Sequence, residues 1–239
     1  MDRNKLIDTM TTSRSKRASD QRNDWNVFWN RMLIQHVLDL VRSYETNYYA
    51  RKILRPYFNK NRSFCELGCG KAKLLRSVAH FYKNIVGLDY SPDSLKISKD
   101  VLDRAKIKNY KLIQQDIRDT WRIKPLYDVV FSNGLIEHFK QPHIAINSHL
   151  MFVKPGGVVI ILAPYKYFLK YLWFKVTDNT LLKKYWPWPE QYFFTRQSIE
   201  DEFEKIDRSK VAWHKVMVLH NVENVLLIIR KKLKRRGVT

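Results

Sequence analysis

Residues 64–75, FCELGCGKAKLL, set two glycines and an acid between an apolar run and a helical pattern. Backbone without side chains at Gly68 and Gly70 lets a ligand come close, and a helix starting just beyond attracts polar or anionic groups. Nucleotide-type cofactors are the usual occupants of such a turn. A dinucleotide turn needs GxGxxG, and from Gly68 the third glycine would fall at Lys73. That fingerprint fails. Glu66, two residues before the first glycine, would repel a pyrophosphate but suits a cationic amino group. The only cysteines, Cys65 and Cys69, both lie in this stretch. A disulfide framework is therefore not expected, a reducing cytosol is the natural setting, and no matching His/Cys set makes a zinc site.

The elements that must position this turn follow from periodicity. Residues 1–24 are polar and mixed in charge, which predicts a flexible segment. Over 25–59 apolar residues recur at helical steps, predicting helices that cover the active site, with Pro56 awkward inside the second, Glu45 to Phe58. After Arg62, short apolar runs alternate with helical patterns. SFCEL, NIVGLD, KLIQQD, YDVVFSN and VVIILA read as strands; KLLRSVAHFY, PDSLKISKDVLDRA and PHIAINSHLMFV read as helices. Ser91 is the expected N-cap of the second of these helices, with Pro92 in its first turn. KVAWHKVMVL and NVLLIIRKK then read as an antiparallel hairpin. The fold class is α/β: a doubly wound, mostly parallel, seven-stranded Rossmann-like sheet closed by that C-terminal hairpin. In such a sheet ligands sit at the carboxyl ends of the strands, where the glycine turn falls.

The 45% hydrophobic content is ordinary for a globular chain, and no apolar stretch is long and uncharged enough to span a bilayer. The N-terminus carries charges without an apolar stretch, so no secretory signal is expected. The formal net charge of +21 is the outlying quantity. It predicts attraction to an anionic partner, whether nucleic acid, membrane surface or acidic substrate, unless it is only a solvated surface. Part of it is concentrated in RKKLKRR at 230–236, and 233–239 form a basic tail.

ELGCGKAK resembles the first motif of class I S-adenosylmethionine-dependent methyltransferases, E/D-x-G-x-G-x-G, with Ala72 in place of the last glycine. VGLDYS, QQDIRD, YDVVFSNGLIEHF and VKPGGVVII follow in the family's order, so the resemblance covers roughly residues 60–165. It implies S-adenosyl-L-methionine as cofactor and a methyltransferase domain over 60–232. Glu66, Gly68, Cys69 and Gly70 would form its loop, with Glu66 near the sulfonium and amino ends. Asp89 would accept from the ribose diol with Tyr90 beside it; Asp116 would take the adenine amine and Ile117 would face the ring. Asn133 would touch the cofactor.

Exclusions narrow the acceptor. Pyrimidine C5 methylation needs a cysteine nucleophile, and both cysteines belong to the cofactor loop. The N/D-P-P-Y/F motif of amino-group methyltransferases is absent from SNGLIEHF. That segment resembles its counterpart in small-molecule methyltransferases, including those of ubiquinone and menaquinone biosynthesis. Some relatives with E-x-x-E-H bind a divalent metal there; here Glu137 and His138 match but Gly134 replaces the first acid, so no metal is expected. His138 is the candidate general base, or else a structural histidine. The expected reaction is O- or C-methylation of a small, apolar or aromatic acceptor. An RNA methyltransferase and a non-catalytic cofactor-binding protein are the alternatives.

The substrate end would be built partly by an insert at 164–194, rich in aromatics and lysines. At helical spacing Tyr165, Phe168, Leu169, Leu172 and Val176 share a face, and Lys166 and Lys170 share another. The insert reads as a hydrophobic lid, as a lid that also rests on an anionic membrane, or as an aromatic surface for bases. The expected location is cytoplasmic, with peripheral contact at the inner membrane surface under the second reading.

Overall fold

The computed structural model describes residues 43–119, 127–168, 172 and 192–233. The helical pattern at 25–41, most of the insert and the tail beyond Leu233 lie outside the described residues. Seven strands form one sheet: β1 Asn59–Leu67, β2 Tyr82–Asp89, β3 Tyr110–Gln114, β4 Tyr127–Asn133, β5 Val153–Pro164, β6 Val211–Leu219 and β7 Asn224–Lys231. Their order is β3-β2-β1-β4-β5-β7-β6, with the first five parallel and β7 antiparallel to both neighbours. The expected hairpin is present, and its second strand is the one that inserts against β5. Composition explains that choice. In β7, NVLLII is buried throughout and needs neighbours on both edges, whereas β6 leaves Trp213 and Lys215 in water and suits the rim.

Alternate residues of each central strand feed two cores, as a doubly wound sheet requires. Phe64, Val129, Ile160 and Ile228 face one side; Cys65, Val130, Ile161 and Ile229 face the other. Helices α1 (Lys73–Val78) and α2 (Pro92–Arg104) cover the first core through Leu74, Leu75, Val78 and Leu102. Helices α3 (Pro142–Phe152) and α4 (Arg196–Glu204) cover the second through Ala145, Ile146, Leu150, Ile199 and Phe203.

Two local solutions were not legible in the periodicity. The helix entering β1 is α-helical at 43–48, widens to π geometry over Tyr49–Leu54, and tightens to a 3-10 turn over Arg55–Tyr57. Pro56 sits in the first turn of that 3-10 segment, where its missing N–H breaks no ladder. Helix α4 follows the insert, opened by a reciprocal capping box between Thr195 and Ser198. The expected cap of α2 is made: the Ser94 N–H donates to Ser91 Oγ at 3.2 Å.

Candidate active site

The glycine loop leaves β1 by turning back over β2. Gly68 (φ 69°) donates its N–H to the Leu88 carbonyl at 2.7 Å, and Cys69 donates to the same oxygen at 3.2 Å. Gly70 is also left-handed (φ 51°). The loop can settle this low because Gly87 lies beneath it; a Cβ there would stand 2.8 Å from Cys69 Sγ. Ala72 keeps the left-handed conformation a glycine would have (φ 52°) while capping α1 from a fully buried position.

Asp89, at the end of β2, holds the loop from the other side. Its Oδ2 accepts the Gly70 N–H and its Oδ1 the Ser91 N–H, both at 3.0 Å. Burial pushes its carboxyl up, against these bonds. The Gly70 carbonyl accepts from two hydroxyls of α2, Ser94 at 2.9 Å and Ser98. Sequence reasoning missed both serines. Their signal was a pair one turn apart on the helix immediately after the strand-end acid.

Glu66 lies under the loop and is buried. The Leu75 backbone N–H serves one side of its carboxyl, but Oε2 has no hydrogen-bond partner among the described residues. Burial, with a contribution from the Asp89 charge, raises the Glu66 carboxyl from 4.5 to about 8. The same burial keeps the Cys65 and Cys69 thiols well above their usual range, so neither is an activated nucleophile.

The next strand ends bring the remaining expected residues to the same edge. After β3, Asp116 accepts from Arg118: the backbone N–H and Nε reach Oδ1 at 2.9 Å, and Nε and Nη2 reach Oδ2. The Arg118 guanidinium also lies over the Phe139 ring, 5.8 Å from its centroid. Ile117 is buried, and the Tyr90 carbonyl accepts from Gln114 at 3.4 Å, tying the ends of β2 and β3. Asn133 ends β4, and Gly134 (φ 70°) turns the chain into a 3-10 segment, Ile136–His138. His138 is half-buried there, and Glu137 is buried. Thus Glu66, the glycine loop and Asp89 form one interlocked unit. Asp116 and His138 stand on neighbouring loops that Arg118 and Phe139 join. No three His, Cys, Asp or Glu side chains gather as a metal site among the described residues.

Two buried polar pairs support this edge and were not anticipated. Near the end of β4, Ser132 donates to His149 Nε2 at 2.8 Å, while His149 Nδ1–H donates to the Ala145 carbonyl at 2.6 Å. Complete burial lowers the His149 pKa from 6.5 to about 4, so the ring is a neutral strut. Across the sheet, Asn224 at the start of β7 donates its amide to the Tyr49 hydroxyl at 2.5 Å, and the Tyr49 ring meets Phe131 of β4.

Residues 58–230 match a family model described as a methyltransferase domain. The ubiquinone biosynthesis O-methyltransferase of Hydrogenovibrio crunogenus is 33% identical over 102 residues, 42% of this chain and 42% of that protein. The Coxiella burnetii protein of the same name is 24% identical over 156 residues, 65% of this chain and 63% of that one. The matched stretch therefore spans less than two thirds of either relative. The magnesium protoporphyrin IX methyltransferase of Synechocystis PCC 6803, solved with bound SAH, superimposes with a TM-score of 0.64 at 13% identity, covering 93% of this chain and 100% of that one. At that identity the likeness is one of fold.

Proposed function

The chain belongs to the methyltransferase-domain family, and from that premise we propose that it moves a methyl group from S-adenosylmethionine to a small apolar or aromatic acceptor, by O- or C-methylation. The observation that carries the cofactor reading is the buried Glu66 Oε2, which has no hydrogen-bond partner among the described residues, beneath a loop whose backbone is drawn tight by Asp89. A buried oxygen acceptor of this kind fits a cationic ligand and opposes a pyrophosphate. When bound, the cofactor supplies an electrophilic methyl group on a cationic sulfur.

The residues of the chain bind and orient. Asp89 accepts the Gly70 N–H on Oδ2 and the Ser91 N–H on Oδ1, with Ser94 and Tyr90 also contributing bonds; a carboxylate can accept about four hydrogen bonds and carries the charge that a ribose diol would donate to. Ile117 offers an apolar wall for adenine, and Asp116 would share its carboxylate between Arg118 and the adenine amine. Tyr90, Cys69 and Asn133 line the same edge through their backbone positions. His138 is the base for a hydroxyl acceptor, half-exposed on the loop after β4. The curated relatives' names favour a small-molecule acceptor over RNA. The retained left-handed backbone at Ala72 speaks against a decayed cofactor loop.

The helical segment at 43–57 and the insert at 164–194 would enclose the acceptor. Phe168 and Leu172, four residues apart in the sequence, are exposed (75% and 47%), as is Lys166, an arrangement suited to a lid that also touches an anionic bilayer. Among the described residues no helix is long and apolar enough to cross a membrane. A cytoplasmic enzyme with peripheral membrane contact is the reading we adopt.

Calorimetry tests the cofactor assignment. The protein should bind S-adenosylmethionine and S-adenosylhomocysteine, and Asp89→Ala should weaken both by about 1.5 to 3 kcal/mol. Tight NAD binding with no affinity for either sulfur ligand would overturn it.

A further inference from the structure

The net charge of +21 has no role in the reading above, and the sheet distributes it unevenly. The acids of the candidate site, Glu66, Asp89, Asp116 and Glu137, all lie at the carboxyl ends of β1 to β4. The opposite, amino-end edge is basic. Lys60 and Arg62 are exposed at the start of β1, Lys154 stands in the first turn of β5, and Lys210 precedes β6. Because β7 runs antiparallel, its end brings Arg230, Lys231 and Lys232 to this same edge, level with Val158 rather than with Pro164.

Two carboxylates balance this group at short range: Asp128 pairs with Lys154 at 3.0 Å, and Asp207 with Lys210 at 3.1 Å. The Arg230 guanidinium donates to the Gly156 carbonyl at 2.7 Å, and Lys231 donates to the carbonyls of Leu150 and Val153. Those bonds fix the cations in place without cancelling their charge. Among the described residues named here, seven cations against two carboxylates leave five positive charges along the edge. Two exposed aromatics flank them. Phe81, immediately before β2, is 42% exposed and stacked on Phe58 at 4.1 Å; Trp213 on the rim strand β6, paired with Arg230, is 44% exposed. From β2 to β6 the row is about 24 Å wide.

We propose that the amino-end edge of the sheet, built by Lys60, Arg62, Arg230, Lys231 and Lys232 between Phe81 and Trp213, is a docking surface for the phosphate backbone of a nucleic acid, separate from the cofactor site. Cations in a row satisfy successive phosphates, and flanking aromatics accept unstacked bases without sequence preference. The cofactor site lies at the opposite, carboxyl-end edge of the sheet, so a nucleic acid held here is not presented to the methyl group. An anionic bilayer fits less well: the exposed apolar pair Phe168 and Leu172 follows β5 at the far edge, so one flat surface cannot take both the cations and the apolar side chains.

The test is fluorescence anisotropy of a labelled 20-nucleotide oligouridine against the full chain from 50 to 200 mM salt, with anionic vesicles in parallel. Five phosphate contacts predict a log–log salt slope of about −3.5. The triple variant Lys60→Ala/Arg62→Ala/Lys232→Ala, made only at exposed side chains, should reduce the slope by about 2 and weaken binding at least tenfold at low salt. Lys166→Ala, at the other edge, should leave both unchanged. A flat salt dependence, an unaltered slope in the triple variant, an equal loss in Lys166→Ala, or binding to vesicles without binding to oligouridine would each overturn the proposal.

Discussion

Replacing Glu66 by Gln should make the protein more stable at alkaline pH by removing the share of the stability loss between pH 5 and 8 that this carboxyl carries. Burial lifts the Glu66 carboxyl from 4.5 to about 8 in the fold, so the folded chain keeps a proton that the unfolded chain gives up. Below pH 4.5 both states are protonated and the residue carries no linkage penalty. As pH rises from 4.5 to 8 the unfolded state loses its proton first, and folding stability falls by about 1.4 kcal/mol per unit. Above 8 the loss is complete, on the order of 5 kcal/mol for a shift of this size. Asp89 is shifted in the same direction, so the informative quantity is the difference between wild type and variant. Urea unfolding at half-unit steps from pH 5 to 8.5 supplies it. Wild type and Glu66→Gln should diverge steadily as pH rises. If S-adenosylhomocysteine places its ammonium group against this carboxyl, binding near pH 7 should also release a proton, seen as heats that change with the ionisation enthalpy of the buffer. Parallel stability curves, with binding heats independent of buffer, would refute the reasoning.

Three further outcomes are expected. His149, neutral in the fold with its pKa lowered from 6.5 to about 4, should contribute stability that is full above pH 6.5 and lost as pH falls to 4, about 3 kcal/mol in all; acid unfolding of His149→Gln against wild type reads the difference. His138→Ala should lower turnover, leave S-adenosylhomocysteine affinity unchanged, and erase the imidazole limb of the pH–rate profile, and unchanged turnover in a folded variant would return the ring to a structural role. Co-sedimentation with anionic vesicles should weaken by about 1 kcal/mol for each of Lys166 and Lys170 removed, whereas Phe168→Ala should cost binding that persists at high salt.

The sequence was most informative where burial and backbone geometry coincide. YDVVFSN forms β4 over the residues its apolar run marks, and Ser91-Pro92 opens α2 because a hydroxyl acceptor and a fixed φ are both local properties. The glycine loop was legible for the same reason. Helix α4 was not: only Ile199 and Phe203 are buried in it, too few for a period to stand out, and its start is marked by the Thr195–Ser198 box alone. The place of β7 between β5 and β6 depends on long-range pairing that no local pattern encodes. The Asp116–Arg118 pair, the His149–Ser132 strut and the Ser94 and Ser98 bonds to Gly70 are matters of side-chain placement, invisible until the fold brings the partners together.

The alanine in the third glycine position shows how those unseen bonds bear on function. A left-handed backbone at a residue with a Cβ costs about 1 to 2 kcal/mol, and Ala72 adopts it at φ 52°. The loop does not relax to avoid that cost because it is over-determined. Gly68 and Cys69 are bonded to the Leu88 carbonyl, Gly70 to Asp89 by its N–H and to Ser94 and Ser98 by its carbonyl, and the Ala72 N–H to the Cys69 carbonyl at 2.8 Å. At roughly 1 kcal/mol for each bond, these outweigh the strain of one residue several-fold. The buried methyl group of Ala72 adds apolar contact that a glycine would lack, about 0.8 kcal/mol. The loop therefore keeps the shape that three glycines would give it, and the residues that enforce this, Asp89 and the two serines of α2, lie outside the glycine motif itself.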